Sequence, residues 1–261
     1  PERRPMDLEL RGRVALIAGG TRGLGRAATL ALAREGALVA PLGRDPEVVE
    51  ATCAAAREAG AEALGLVADL TDVGATDAAL ERLREAHGAP TILVYAAASR
   101  YRIQKLHTVD DASAEAWLAL DLEAAARLCR RLVADMMVAR YGRVVLFGSM
   151  AGRAGVAGGT LYSMHKAGLE GLARGLSVDY ARRGVTANVC NVGIAETERV
   201  LARIAGDPEA RRTLERATAT RTLTRPEDVA DVVAFLCSPR AAAITGAVID
   251  ATSGAHLNNN W

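Results

Sequence analysis

The sequence predicts an α/β protein built on one doubly wound parallel sheet of about seven strands. Short apolar runs alternate along the chain with longer helical segments, and several runs are continuously apolar, as in strands buried on both faces. The first run leads into a glycine-rich turn and then a helix. Because parallel strands need crossover connections, this alternation favours a single sheet with right-handed crossovers and helices on both faces.

The bounds of each element follow from where the apolar runs and the helical patterns begin and end. The predicted strands cover residues 14–18, 38–42, 63–68, 92–96, 144–147, 186–190 and 247–250. The predicted helices cover residues 23–35, 46–59, 73–87, 112–140, 161–182 and 226–237. Pro226 suits the first turn of the last helix, and Thr224 is its expected cap.

We expect one domain over residues 10–261, preceded by an N-terminal extension of residues 1–9. The start of the chain contains arginines but no apolar stretch behind them, so it lacks the pattern of a signal peptide. Residues 196–221 are polar, helical and outside the strand–helix alternation. We interpret them as an insertion that forms a lid over an active site.

Composition excludes several classes of function. The 261 residues include 32 Lys and Arg against 31 Asp and Glu, a formal net charge of +1, so we expect no nucleic-acid partner. No apolar run approaches the roughly 18 residues of a membrane span. The four cysteines form no CxxC pair and the four histidines lack metal-ligand spacing, so we expect no metal site. Scattered thiols of this kind are typical of cytoplasmic proteins.

The turn after the first strand suits a dinucleotide, and it reads Gly19-Gly20-Thr21-Arg22-Gly23-Leu24-Gly25. Glycines allow the backbone to approach a pyrophosphate, while the helix N-terminus offers amide groups and a partial positive charge. The GxxxGxG spacing differs from the common GxGxxG pattern. A glycine-rich turn without a ligand is the alternative, and the strand–turn–helix context favours a Rossmann-type dinucleotide site.

Two further strand ends suit the adenosine half of such a cofactor. Arg44 follows the second strand, where an acid would bind the 2′-hydroxyl of NAD and an arginine suits the extra phosphate of NADP. Arg22 adds a second cation. Asp69 and Leu70 end the third strand, where a carboxylate can accept from the adenine amino group. The alternatives are a solvated loop charge for Arg44 and a helix N-cap for Asp69.

Ser149, Tyr162 and Lys166 form the predicted catalytic set. Tyr162 and Lys166 are four residues apart and share one helix face, and Ser149 ends a strand thirteen residues before Tyr162. A nearby ammonium stabilises a phenolate, so Tyr162 can donate a proton to a carbonyl oxygen or take one from an alcohol. Ser149 can hydrogen-bond the same oxygen. A chance YxxxK pattern is the alternative, which the glycine-rich turn makes weaker.

Taken together, these motifs resemble the short-chain dehydrogenase/reductase family over residues 10–254. The glycine-rich turn and the later motifs follow the family's order and spacing, namely Asp69-Leu70, Ser149/Tyr162/Lys166, Asn188 and Gly193. The stretches MMVARYGRVV, YSMHKAG and AAAITGAVI are most similar to the β-ketoacyl-carrier-protein reductases and their polyketide relatives. The resemblance implies a cytoplasmic, NADPH-dependent ketoreductase.

The resemblance also implies roles around the cofactor and between subunits. Lys166 would hold the nicotinamide ribose, and the Thr197 side chain and the backbone around Ala195 would contact the carboxamide. Gly193 would lie in the loop below the nicotinamide, and Ala96 along the adenosine ribose. Homotetramers are usual in the family, so we expect the 112–140 and 161–182 helices to pair with their copies.

Two arginines suggest a partner. Arg140 and Arg183 stand where the carrier-protein reductases have docking arginines, so we expect an acyl carrier protein to dock on them beside the active-site mouth. Arg143 and Arg182 are close by in the sequence. The alternative is that these arginines only complement the dipoles of helix C-termini.

The chain departs from the family pattern at three places. Tyr95-Ala96-Ala97-Ala98 replaces NNAG after the fourth strand, so another group has to satisfy the backbone atoms that the lost amides would bind. Asp121 replaces the catalytic Asn of the long helix, where it keeps a backbone carbonyl but adds a charge that must be compensated. Val192-Gly193 replaces PG after the sixth strand and loosens that loop.

Three functions are therefore open. The leading hypothesis is reduction of a β-ketoacyl or polyketide thioester on a carrier protein. The second is a dehydrogenase acting on a free small secondary alcohol or a sugar-derived substrate. The third is a weakly active subunit that binds a dinucleotide and supports an active partner. The departures at 95–98 and Asp121 motivate the third hypothesis, and the intact Ser149/Tyr162/Lys166 set counts against it.

Overall fold

The computed structural model describes residues 7–99 and 103–257, so residues 1–6 of the predicted extension and 258–261 of the predicted domain lie outside the described residues. The strands are β1 (Val14–Ala18), β2 (Leu38–Gly43), β3 (Leu66–Val67), β4 (Ile92–Tyr95), β5 (Gly142–Ser149), β6 (Val185–Val192) and β7 (Val248–Ala251). They form one parallel seven-stranded sheet in the order β3-β2-β1-β4-β5-β6-β7. The predicted fold class is confirmed.

Helices connect the strands and cover both faces of the sheet. They are α1 (Gly23–Arg34), α2 (Pro46–Glu58), α3 (Val73–His87), α4 (Asp111–Leu118), α5 (Ala124–Val138), α6 (Ala151–Ala154), α7 (Thr160–Tyr180), α8 (Glu198–Ile204), α9 (Pro208–Arg216) and α10 (Pro226–Cys237). One buried layer of aliphatic side chains lies beneath α1 and α10, and the other beneath α3, α5 and α7. Neighbours on β1 show the alternation, since Leu16 enters one layer and Ile17 the other.

The prediction of one continuous α-helix over 112–140 is wrong. In the structure this segment consists of α4 and α5, joined by a wider turn of π-helix at Ala119–Glu123. The hydroxyl of Tyr95, at the end of β4, donates a hydrogen bond to the carbonyl of Leu120 in this turn. A π-helical turn holds an extra residue, and such turns are frequent at functional sites.

Two smaller expectations also fail. The third strand is shorter than the predicted 63–68, because β3 covers only Leu66–Val67 and Ala63 makes a separate bridge to Val39. Thr224 does not cap α10, because Arg225 occupies its N-cap position. Thr224 instead pairs with Ala195 in a parallel bridge.

That bridge closes the base of the predicted insertion. The amide of Glu196 donates to the carbonyl of Thr224 at 2.9 Å, and the amide of Thr224 donates to the carbonyl of Ile194 at 3.1 Å. The segment between them contains α8 and α9. Its role as a lid stays a prediction. Across residues 7–99 and 103–257, the structure contains no helix that is both long and apolar enough for a membrane span.

Candidate active site

The glycine-rich turn lies where the strand order reverses. β1 pairs with β2 on one side and with β4 on the other, so the connections leaving this point run in opposite directions along the sheet. Residues 19–25 leave the carboxyl end of β1 and enter α1. In open parallel sheets, ligands bind beside the carboxyl ends of the strands at such a switch point.

The packing of this turn fits a dinucleotide. A Cβ on Gly19 would lie 2.6 Å from the amide nitrogen of Ala97, and one on Gly25 would lie 2.1 Å from the carbonyl oxygen of Gly19. The backbone is therefore folded too tightly for side chains. Arg22, the N-cap residue of α1, makes no side-chain hydrogen bond to the helix, which leaves the first-turn amides to a phosphate.

The side chains expected at the adenosine end lie close together. The guanidinium of Arg44 is 3.5 Å from the carboxylate of Asp69, and Arg22 pairs with Asp45 at 3.0 Å. Both arginine side chains are more than half exposed, so these ion pairs are weak and can open for a phosphate. Hydrogen bonds from Thr71, with Arg44 assisting, lower the pKa of Asp69.

The helix-cap interpretation of Asp69 is wrong. Asp72 is the N-cap of α3 and accepts from the amide of Ala75 at 2.9 Å. Asp69 instead accepts from the amide and the hydroxyl of Thr71, at 2.9 and 2.7 Å. Leu70 is buried beside it. A contact of Asp69 with adenine stays a prediction.

The three predicted catalytic side chains converge at the carboxyl end of β5. Ser149 is the last residue of β5, and Tyr162 shares a hydrogen bond with it. Lys166 lies one turn after Tyr162 on α7, with its Nζ 5.8 Å from the centre of the Tyr162 ring. Lys166 is 4% exposed and donates to the carbonyl of Phe147 at 2.8 Å.

Burial dominates the titration of this set. It lowers the pKa of Lys166 to about 8, and Asp121 opposes that shift. Burial also raises the pKa of Tyr162, an effect that the hydrogen bond with Ser149 counteracts. Asp121 raises the pKa of Tyr162 further, and Arg199 lowers it. Tyr162 is therefore a protonated phenol near neutral pH, ready to donate a proton.

Asp121 joins this set from the π-helical turn. Its side chain is buried, and Oδ1 accepts a 2.7 Å hydrogen bond from the amide of Ser99, just after β4. Its Oδ2 lies 3.9 Å from Nδ1 of His165, the residue before Lys166. The carboxylate of Asp121 thus faces the helix that carries the catalytic pair.

The residues expected near the nicotinamide lie beside the same turn. A Cβ on Gly193, just after β6, would lie 2.9 Å from the carbonyl oxygen of Thr252, so the chain passes this point closely. A Cβ on Gly23 would lie 3.4 Å from the methyl group of Thr197, which places Thr197 over the turn. Their contacts with a cofactor, and those of Ala96 and Ala195, stay predictions.

Comparison with known proteins shows the family. The family model described as enoyl-(acyl carrier protein) reductase matches residues 18–256. The chain belongs to the short-chain dehydrogenase/reductase family. This dehydrogenase/reductase is an oxidoreductase that binds a nicotinamide dinucleotide.

Individual relatives cover almost the whole chain of this dehydrogenase/reductase. It is 32% identical to a 3-oxoacyl-[acyl-carrier-protein] reductase of Pseudomonas aeruginosa, over 96% of this chain and 100% of the relative. It is 32% identical to a cis-4-hydroxycyclohexanecarboxylate dehydrogenase of Sinomonas cyclohexanicum, over 93% and 96%. A 3-oxoacyl (acyl-carrier-protein) reductase of Agrobacterium tumefaciens, crystallised with NADP bound, has a TM-score of 0.89 at 30% identity, covering 95% and 96%.

The arginines expected to dock a carrier lie far from the catalytic residues of the same chain. Arg140 precedes β5 and Arg183 precedes β6, whereas Ser149 ends β5. Eight residues of β5 separate the two edges of the sheet, roughly 23 Å at about 3.3 Å per residue. Within one chain, Arg140 and Arg183 therefore do not lie beside the active-site mouth, and their role in docking a carrier protein stays a prediction.

Arg143 has a structural role in this dehydrogenase/reductase. It is 4% exposed, its guanidinium lies 4.2 Å from the centre of the Tyr141 ring, and its Nε donates to the carbonyl of Ser238 at 3.0 Å. Arg143 is therefore not available to a docking partner, although Arg140, Arg182 and Arg183 are exposed.

Two site residues of this dehydrogenase/reductase were missed by sequence reasoning. Arg199, on α8, acts on the pKa of Tyr162, and no motif around it signals this. His165 is fully buried beside Asp121. The sequence did contain a signal for His165, because it stands directly before Lys166 in YSMHKAG and so places a second titratable group next to the catalytic lysine.

Proposed function

We propose that this enzyme reduces a ketone to a secondary alcohol with NADPH, and that the ketone is a β-ketoacyl or polyketide thioester on a carrier protein. The observation that carries the proposal is the hydrogen bond between Tyr162 and Ser149, with the buried ammonium group of Lys166 one helical turn away. A phenol held in this way can donate its proton to a carbonyl oxygen.

The protein's own groups supply the proton and the polarisation of the carbonyl. A bound nicotinamide dinucleotide supplies the hydride. Ser149 donates a hydrogen bond to the ketone oxygen, and Tyr162 transfers its proton to that oxygen as the alcohol forms. The ammonium of Lys166 then stabilises the phenolate until Tyr162 regains a proton from solvent. The proton lost by Tyr162 is thus the one gained by the alcohol.

The preference for NADPH rests on two arginines. Arg44 and Arg22 stand at the carboxyl ends of β2 and β1, and each has a long side chain that is more than half exposed. Their present partners, Asp69 and Asp45, form weak surface pairs that a 2′-phosphate can replace. A charge-assisted hydrogen bond from an arginine to a phosphate is stronger than either pair.

We infer that the enzyme works as a homotetramer and that the carrier docks in trans. Side chains along α7 form an uncovered stripe of small and apolar residues, with Met164 and Val178 50% and 83% exposed and Ala167 and Gly171 between them. A second copy packed on this stripe would bring Arg140 and Arg183 of one subunit toward the catalytic edge of another. A monomeric mass at micromolar concentration would contradict this part of the proposal.

A second candidate function is oxidation of a free small secondary alcohol. The relative named as a cis-4-hydroxycyclohexanecarboxylate dehydrogenase favours it, because it matches this chain as closely as the carrier-protein reductases do. The catalytic set serves both directions, since Tyr162 can also accept a proton. The four cysteines are buried free thiols, which suits the cytoplasmic location that both functions imply.

The test compares one ketoacyl group presented in two ways. Purified enzyme is assayed for NADPH oxidation with a β-ketoacyl group on acyl carrier protein and with the same group on a short thioester. We expect the Arg140→Glu/Arg183→Glu variant to have a raised KM for the carrier-bound substrate, an effect that added salt reproduces. Turnover of the short thioester should hardly change.

Arg57→Glu/Arg82→Glu is the matched control, since it reverses two other exposed arginines. Equal effects on both substrates would show that Arg140 and Arg183 are structural, and would favour the small-molecule function. No oxidation of NADPH with either substrate, but reduction of NADP by a cyclic alcohol, would replace the proposed function with the second candidate.

A further inference from the structure

A buried acid–histidine pair lies behind the catalytic helix. Asp121 and His165 are 1% and 0% exposed, and Asp121 Oδ2 is 3.9 Å from His165 Nδ1. They come from different elements, since Asp121 lies on the π-helical turn and His165 on α7. That distance is too long for a direct hydrogen bond.

The two elements approach each other closely at this point. A Cβ on Gly168, three residues after His165, would lie 2.8 Å from the side chain of Leu122, the neighbour of Asp121. Tyr95 holds the other side of the π-helical turn through its hydrogen bond to Leu120. The position of the Asp121 carboxylate is therefore set by packing on both sides.

The carboxylate of Asp121 acts on four buried or partly buried titratable groups. It raises the pKa of Tyr162 and adds to the raised pKa of Tyr95, and it opposes the burial that lowers the pKa of Lys166 and of His165. A buried carboxylate is costly unless neighbouring polar groups stabilise it. Burial lowers the pKa of His165, so its imidazole is neutral near pH 7. The Nδ1 edge of this ring faces one oxygen of Asp121, and the Ser99 amide binds the other.

We propose that His165 is a positioning residue that works as one unit with Asp121, presenting the polar Nδ1 edge of its neutral imidazole to the buried carboxylate so that Tyr162 and Lys166 keep their working arrangement. Neither member can then be replaced alone without loss. The proposal rests on the proposed function for its activity assay, but the pair itself can be detected without substrate.

A double-mutant cycle tests the coupling. The variants are Asp121→Asn, His165→Ala and the combination of both, each assayed with whichever ketone the unmodified enzyme turns over. We expect His165→Ala alone to lower kcat by roughly ten- to a hundredfold, with little change in the KM for NADPH. Adding Asp121→Asn should restore most of the lost kcat, because a neutral amide at this buried position depends less on the polar edge of His165 than a carboxylate does. Additive losses would overturn the proposal.

His165→Leu replaces His165→Ala if the alanine variant does not fold, because leucine keeps the buried volume and removes the imidazole. The matched control cycle is Glu62→Gln with His87→Leu, a surface carboxylate–histidine pair separated by 3.7 Å. We expect the two control substitutions to have small and additive effects on kcat. Rescue of the same size in the control cycle would overturn the assignment.

Labelled-histidine NMR gives a readout that needs no turnover. The imidazole signal of His165 is assigned by its loss in His165→Leu, and it should shift on Asp121→Asn while the signals of His87 and His256 stay in place. An unmoved His165 signal would overturn the pair. A shifted signal in a protein that reduces no ketone would retain the pair and reject the proposed function.

Discussion

The hydroxyl of Tyr95 donates a hydrogen bond to the backbone carbonyl of Leu120, the residue before Asp121. Tyr95 stands at the end of β4, where the family has the first asparagine of NNAG, and Leu120 lies in the π-helical turn. The phenol thus supplies a side-chain link from β4 to the helix layer that holds Asp121. It also stays protonated, because burial raises the pKa of Tyr95.

Tyr95→Phe should therefore reduce both stability and activity. The change leaves the buried carbonyl of Leu120 without this donor, at a cost of about 1–3 kcal/mol in the free energy of unfolding. Tyr141→Phe is the matched control, because Tyr141 donates to the carbonyl of Cys237 at 2.5 Å from the opposite edge of the sheet. Urea unfolding should show similar losses for both variants, whereas only Tyr95→Phe should lower kcat. Equal kcat in the two variants would argue against a role for Tyr95 in the site.

Tyr162→Phe should abolish ketone reduction and leave cofactor binding nearly intact. The substitution removes the proton that Tyr162 donates but preserves the packing of its ring. Lys166→Ala should impair both properties, since its ammonium serves Tyr162 and is expected to hold the nicotinamide ribose. Cofactor binding is measured by fluorescence titration and reduction by NADPH oxidation. Substantial reduction by Tyr162→Phe would contradict the assigned proton donor.

Arg44→Ala should erode the preference for NADPH over NADH by roughly ten- to a hundredfold. The lost contact is a hydrogen bond to a charged group, which contributes about 1.5–3 kcal/mol. Arg57→Ala is the control on the neighbouring α2, where Arg57 pairs with Glu50 at 2.7 Å. The preference is measured as the ratio of kcat/KM with NADPH to kcat/KM with NADH. Equal use of NADPH and NADH by the unmodified enzyme would show that Arg44 has no such role.

The stability of the cofactor-free protein should rise with pH between about 8 and 10.5 through Lys166. Burial lowers the pKa of Lys166 from 10.5 to about 8 in the folded state, so the unfolded chain binds more protons across that window. The cost of keeping Lys166 charged is fully present below pH 8 and disappears as the pH rises through the window. Its size is at most about 3 kcal/mol.

Lys166→Met isolates this effect, because methionine does not titrate. The difference in unfolding free energy between the unmodified protein and Lys166→Met should change in favour of the unmodified protein from pH 8 to 10.5. Groups other than Lys166 cancel in that difference, including Cys129 and Cys237, whose pKa values burial raises to about 12. A difference independent of pH would mean that Lys166 titrates normally.

The elements with strong local patterns were predicted from sequence. The predicted bounds of β1, α3 and α10 are those of the structure, because each combines an apolar pattern with a clear start or stop signal. The weaker β3 was predicted too long, because a few apolar residues next to Gly65 do not reveal where pairing with β2 stops. Helical spacing placed Tyr162 and Lys166 on one face of α7, since residues four apart are neighbours on any helix.

Residue types and their spacing along the chain determined the alternation of strands and helices, the glycine-rich turn and the Tyr162–Lys166 pair. Each of these depends on interactions within a few residues. The π-helical turn, the approach of Asp121 to His165 and the place of Arg140 at the far edge from Ser149 depend on the folded chain. Asp121 and His165 are 44 residues apart in the sequence, and they meet because α7 packs against the π-helical turn. No local sequence pattern encodes such a contact, because it forms only when helices pack on the sheet and bring distant segments of the chain together.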